Sequence, residues 1–268
     1  MDSSFLAGSG LDTAAPGLLA LLALTGLAAG FIDAVVGGGG LLQLPATLMV
    51  PGLTPVQALA TNKMGSVFGT ATSALTFYRR VRPDLRTALP MAAVAFAAAG
   101  AGAAVAAALP ASVFKPVIVA ALVAVLVFSV LRPSMGRLTR LRHSGARHHG
   151  RAAALGALIG FYDGVMGPGT GSFLIIGLVS VLGYSFLAAS AKAKIVNLAT
   201  NLGAIAVFAA HGSVLWGLGL VLGLSNMAGG YVGARTAVAR GSGFIRGVFF
   251  AVVAVLIVKL GWDVLRGR

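Results

Sequence analysis

Apolar runs of near-spanning length, separated by short polar breaks, leave this chain few ways to fold. They fall at about 14–36, 41–50, 56–78, 87–109, 111–131, 152–167, 172–183, 186–210, 213–237 and 244–265. A helix needs ~20 apolar residues to cross the hydrocarbon core of a bilayer, and eight of the runs are long enough to do so. The two short ones, 41–50 and 172–183, each follow a glycine-rich break, Gly37-Gly38-Gly39-Gly40 and Gly167-Pro168-Gly169-Thr170-Gly171. They read as broken or re-entrant helices, and the helices that follow them are expected to start at Thr54-Pro55, with Thr as cap and Pro in the first helical position, and at the matching Ser185. Composition removes the soluble alternative: 58% of residues are hydrophobic and 10% charged, whereas ordinary soluble domains carry about a quarter charged residues. Mean hydropathy is +0.95. The expected class is an all-α polytopic membrane protein, because only structures that satisfy their own backbone hydrogen bonds cross lipid.

The net charge of +14 would suit nucleic acid, but the arginines occupy breaks between apolar runs rather than one face. They read as topology signals, and no nucleic-acid partner is expected. The chain has no cysteine, which excludes disulfides, thiolate metal sites and cysteine nucleophiles. No Walker A, HExxH or Gly-x-Ser-x-Gly pattern is present, and no cofactor is expected. Residues 1–13 contain Asp2 and Asp12 but no Lys or Arg, so the first run lacks the basic leader of a cleaved signal peptide and is expected to remain.

An internal repeat is the most informative pattern. Gly30-Phe31-Ile32-Asp33, with Val35 and Gly37, returns as Gly160-Phe161-Tyr162-Asp163, with Val165 and Gly167, at an offset of 130. Lys63, Ser66, Thr70 and Phe77 return at an offset of 131 as Lys194, Asn197, Asn201 and Phe208. The chain therefore reads as two homologous repeats, 14–131 and 152–265, each of about four spanning helices and one short segment, joined by a linker at 132–151. Arg132, Arg137, Arg140, Arg142, Arg147 and Arg151 make that linker cytoplasmic. Equivalent breaks carry opposite charge. Arg79, Arg80, Arg82 and Arg86 correspond to the uncharged His211-Gly212, whereas the 109–115 break, with Lys115 alone, corresponds to one with Arg235, Arg240 and Arg246. Inverted repeats with both termini periplasmic are the expected arrangement.

Charges inside apolar runs cost roughly 2.5–3.5 kcal/mol each at a helix centre, so they mark functional positions. Lys192 and Lys259 lie near run ends, where they are expected to snorkel. Lys63 and Lys194 instead hold equivalent places, each heading a polar face: Lys63 with Ser66 and Thr70, beside Asn62, and Lys194 with Asn197 and Asn201. A lysine flanked by hydroxyls and amides suits a small oxyanion, although Ser, Thr and Asn also join helices in membranes. The glycine breaks add backbone amides at the positive ends of the short helices. Gly38, Gly39, Gly40 and Leu41, with Gln43, and Gly169, Thr170, Gly171 and Ser172 are the candidate cradle. Asp33 and Asp163 stand beside these breaks, either coupling anion movement to protons or accepting glycine amides and fixing the broken geometry.

The stretches Gly30-Phe31-Ile32-Asp33 to Leu42, Leu53-Thr54-Pro55 to Lys63, Gly160-Phe161-Tyr162-Asp163-Gly164 to Phe173 and Ala193-Lys194 to Asn201 resemble the sulfite exporter TauE/SafE family. The resemblance covers roughly 20–265. It implies a bacterial inner-membrane carrier, an exporter of sulfite, sulfoacetate, thiosulfate or a related sulfur-containing anion, in a fold made by duplication. This sequence has aspartate at 33 and 163, where the commonest family pattern has serine or another small residue, so the resemblance does not carry over a particular substrate.

Two other classes fit less well. An intramembrane aspartyl protease needs two aspartates sharing a proton, but the second Asp lacks the Gly-x-Gly-Asp context and duplication already explains the pair. A channel or scaffold without a carrier cycle would show no saturable uptake. His143, His148 and His149 fall in the basic linker, where a solvated segment is expected rather than a metal site.

Overall fold

Cap chemistry sets the helix boundaries. The computed structural model describes residues 10–11, 15–109 and 138–265, with side chains through 249 and at 251. Among the described residues all regular structure is helical. Helix α1 (Pro16–Val36) starts on its proline and ends at Gly37, whose left-handed φ of 78° lets its N–H reach the Asp33 carbonyl. The short α2 (Gly40–Leu48) follows. Helix α3 (Pro55–Val81) opens with a capping box in which Thr54 and Gln57 satisfy each other's amides, the start expected from Thr54-Pro55. Asp84 caps α4 (Leu85–Ala108) by accepting from the Arg86 amide. Helix α5 (Gly145–Val165) leads through the second break to α6 (Thr170–Gly177), which runs on into a π-helical turn at Leu178–Leu182. Ser185 caps α7 (Phe186–Ala210), again as expected. Helix α8 (Trp216–Leu265) is interrupted at Gly241, where φ is 70° and ψ −168°.

One expected boundary moves. Residues 145–151 belong to α5 rather than to a loop, so the linker is shorter at that end than 132–151. Burial of His148 anchors this extra turn. The run at 111–131 and the start of the linker lie outside the described residues.

The packing exchanges partners along the sequence. Helix α1 lies along α8 and α5 along α4, while α3 packs on α8, α7 packs on α4, and α3 and α7 meet each other. Small residues make the crossings close. A Cβ at Gly233 would lie 2.6 Å from the Phe31 carbonyl oxygen, and one at Gly102 would lie 2.2 Å from that of Phe161. Gly26 meets Leu222 as Gly156 meets Met91, and Gly30 meets Asn226 as Gly160 meets Ala95. All of these pairs repeat at the sequence offsets of 130 and 131.

Two ends can be told apart by what they touch. At one, Arg140 donates its amide to the Gly183 carbonyl, Ser185 to Thr139 and Leu187 to Ser242, and His148 meets Thr87. At the other, Leu11, Leu18, Leu19, Val50, Leu53, Leu215 and Leu218 cluster together. Between the ends α1, α4 and α7 are long and apolar enough to cross a membrane. Leu24 and Leu158 are 66% and 71% exposed, which is a surface that calls for lipid.

Candidate functional site

The two lysines singled out by the repeat are among the most deeply buried side chains, with Lys63 at 1% and Lys194 at 0% exposure. Each lies in the third turn of its helix and reaches across to an aspartate from the other half of the sequence. Lys63 Nζ is 2.5 Å from Asp163 Oδ1, and Lys194 Nζ is 2.8 Å from Asp33 Oδ2 while also donating to the Asp33 main-chain carbonyl. The pairs are crossed: α3 to α5 and α7 to α1. Two cations and two carboxylates thus neutralise one another where isolated charges would be prohibitively costly. The carboxylates bind ammonium groups here.

The surroundings of the two pairs differ. Thr170 Oγ1 donates to Asp163 Oδ1 at 2.5 Å, and Asp163 Oδ2 is buried without a hydrogen-bond partner. Asn62 Oδ1 is likewise buried and unpartnered. A Cβ at Gly40 would come 3.4 Å from Pro168 Cα and 3.9 Å from Asn62 Nδ2, and one at Gly167 would come 2.8 Å from Lys63 Nζ. Lys63, Asp163, Asn62, Gly40 and the second break therefore share one small region.

The glycine breaks meet at their backbones. A Cβ at Gly37 would fall 2.1 Å from the Gly171 carbonyl carbon, and the Ser172 amide donates to the Gly37 carbonyl at 3.1 Å. Several proposed donors are occupied: the Leu41 amide by Gly38, the Thr170 amide by Gly167 and Ser172 Oγ by Val36. Gly39 sits against Ala29 and Asp33 within its own segment, so its lack of a side chain serves packing. Gly38 has room for a Cβ, its nearest neighbours being 3.4 Å or more away. Gly169 holds a left-handed φ of 82° as it caps α6.

The polar faces converge in part. Asn201 Nδ2 donates to Thr70 Oγ1 at 3.4 Å, joining two positions equivalent in the repeat. Asn197 is buried and bonds with Thr200, whereas Ser66 is only half-buried. Gln43 is fully buried, with Nε2 donating to the Asn62 carbonyl and Oε1 accepting from Asn226 Nδ2 at 2.6 Å. Asn226 was missed from sequence. Its equivalent is Ala95, so the repeat gave no signal, and only an amide within an apolar run could have marked it.

A second polar cluster lies at the basic end. Lys192, expected to snorkel, is 2% exposed. It donates to the Asp84 carbonyl at 2.8 Å, lies 3.6 Å from its carboxylate and stacks on the Tyr184 ring. His148, expected to be solvated, is 5% exposed and bonds through Nε2 to Tyr184 at 2.9 Å and Thr87 at 3.3 Å. Burial, reinforced by His149, pushes the His148 imidazole below its ordinary value. Burial works against the Asp84 carboxylate, but Thr87, Lys192 and the Arg86 amide together hold it below the usual range. A cavity of about 450 Å³ opens beside these groups. No group of acids and histidines that could hold a metal occurs among the described residues.

Asp33 and Asp163 thus each pair with a lysine. The profile of a family described as sulfite exporter TauE/SafE matches residues 22–260. A probable membrane transporter protein, ORF9, from a Sinorhizobium species is 40% identical over 243 residues, 91% of this chain and 92% of its own length. The probable membrane transporter protein YfcA of Escherichia coli K12 is 34% identical over 250 residues, 92% of this chain and 91% of its own. A probable membrane transporter protein of Haemophilus influenzae is 32% identical over 249 residues, 91% and 96% of the two chains. No solved structure matches the chain.

Proposed function

The chain belongs to the sulfite exporter TauE/SafE family, and from that premise we propose that it is a secondary transporter, an exporter of sulfite, sulfoacetate or a related small sulfur-containing anion, spanning the bacterial inner membrane many times. The observation that carries this reading is the pair of crossed Lys–Asp contacts, buried beside two helix breaks. An oxyanion arriving at Lys63 or Lys194 competes with a carboxylate for the same ammonium. Protonation of Asp163 or Asp33 frees the lysine, so anion and proton movement are linked at one atom pair. Asn62, Thr70, Asn197 and Asn201 supply neutral hydrogen bonds nearby.

Inverted repeats suit this mechanism, because each end of the molecule then meets an equivalent half-site. Support comes from the ends. Residues 139–148 and 183–187 lie together, so α5 and α6 enter and return on one side, while the equivalent 16–19 and 50–53 gather at the other. The arginine-rich breaks at the first of these ends favour a cytoplasmic side for it.

The test is thermal stabilisation of purified protein by a panel of oxyanions, followed by counterflow of the best binder in proteoliposomes. Saturable exchange is the expected result. Passive flux without counterflow would point to a channel, and no flux with any anion would point to a scaffold.

A further inference from the structure

We propose that the groove between α3 and α8 at the basic end is a binding site for the headgroup of an anionic phospholipid. Two adjoining cavities lie there. One, of about 240 Å³, is lined by Thr72, Leu75, Thr76, Arg79, Arg80, Tyr231 and Arg235. The other, of about 160 Å³, is lined by Arg80, Arg235, Val238 and Ala239. Arg80 and Arg235 are common to both, so cations from two different helices converge on one space.

No carboxylate lines either cavity. The whole chain has six acidic residues, all aspartates; Asp33 and Asp163 are taken in the interior and Asp84 by Lys192. The counter-charge for this groove must come from outside the described protein. Arg79 and Arg80 also offset the negative end of α3, but a helix end takes up only partial charge and gives no reason for Arg235 to face them. Arg235 Nη1 donates to the Tyr231 hydroxyl at 2.9 Å, which leaves the phenol hydrogen to donate to a phosphate.

Continuity with the lipid-facing surface selects a phospholipid over a free anion. Leu75, Met227, Tyr231 and Val232 are 49%, 39%, 47% and 54% exposed, and they carry the groove toward the apolar belt where acyl chains lie. The groove is also one-sided. At the repeat offset, Arg79 and Arg80 fall on Ala210 and His211, and Arg235 on Ala104. Headgroup recognition by basic pockets between helices works by this chemistry.

The proposal needs the chain to be embedded in a bilayer but does not depend on which anion it carries, so its failure leaves the transport reading standing. Protein in nonionic detergent is mixed with phosphatidylglycerol, phosphatidylcholine or inorganic phosphate, and retained lipid is measured by native mass spectrometry alongside the melting temperature. Phosphatidylglycerol is expected to be retained and to stabilise at low salt, and to be released at about 0.5 M salt, where charges are screened beyond a few ångströms. The R80Q/R235Q double variant is expected to bind it roughly tenfold or more weakly, while Arg142→Gln, which lines a different cavity, binds as wild type. Equal retention of phosphatidylcholine, equal stabilisation by inorganic phosphate, or unchanged binding by R80Q/R235Q overturns the proposal. Should that variant fail to fold, the salt titration of the wild-type protein decides, and salt-insensitive retention overturns it.

Discussion

Removing one member of a buried ion pair strands the other. Lys63→Met leaves Asp163 charged in the interior, at a cost of about 3–5 kcal/mol, and is expected to lower the melting temperature sharply. The K63M/D163N double variant should recover most of that loss, since neither charge remains. Counterflow then separates two roles. A stable double variant that does not transport gives the Lys63–Asp163 pair a part in transport itself, whereas restored transport reduces the pair to architecture. Lys63→Arg should not rescue activity, because a planar guanidinium needs more room than an ammonium. A second prediction concerns His148. Its folded pKa lies below the ordinary 6.5, so the folded state binds fewer protons than the unfolded one near that pH. Its contribution to stability is therefore full above about pH 6.5 and is lost as the pH falls through the depressed folded value. His148→Gln should flatten the melting-temperature profile between pH 5 and 7 on the scale of histidine titration, and an unchanged slope would refute the assignment. Lys63 and Lys194 were legible because a charge repeated in an apolar run stands out. Which aspartate each of them takes was not, since sequence gives no distance between α3 and α5. His148 was hidden because a histidine among arginines looks solvated until Thr87 and Tyr184 close around it.

Helix starts were easier to read than helix interiors. Thr54-Pro55 and Ser185 announce caps that depend only on neighbours three residues away, and both form as expected. The π-turn after α6 and the early start of α5 depend on contacts with the 139–142 strand of chain and with α4, which no local pattern encodes. The crossings offer the matching prediction. Gly102→Val forces a side chain against the Phe161 carbonyl and should destabilise by about 1–3 kcal/mol, the usual range for overpacking. Gly233→Val should do the same at Phe31. Gly150, with nothing within 4 Å of its would-be Cβ, is the control, and Gly150→Ala should be neutral or stabilising by up to about 1 kcal/mol. Equal melting temperatures for all three variants would show that the small-residue crossings do not hold these helices together. Gly39→Val is less informative, because its collision with Ala29 and Asp33 would disturb packing whether or not an anion binds there.

At the scale of the whole molecule, class and charge asymmetry were legible in composition and in loop arginines, while the exchange of helix partners was not, because α1 on α8 and α5 on α4 join opposite halves of the chain. The absence of native cysteine makes topology directly testable, since each introduced cysteine is the only thiol. In intact cells an impermeant maleimide should label Ser213→Cys and spare Ser144→Cys. Labelling of both would reject the inverted arrangement, and labelling of Ser144→Cys alone would reverse its orientation in the membrane. The crossed ion pairs also bear on ancestry. Neither half neutralises its own lysine, but two copies of one half lying in opposite senses would neutralise each other's. Were both halves descended from one such unit, it would have worked as an antiparallel couple, and each aspartate could drift only in step with a lysine encoded in the opposite half.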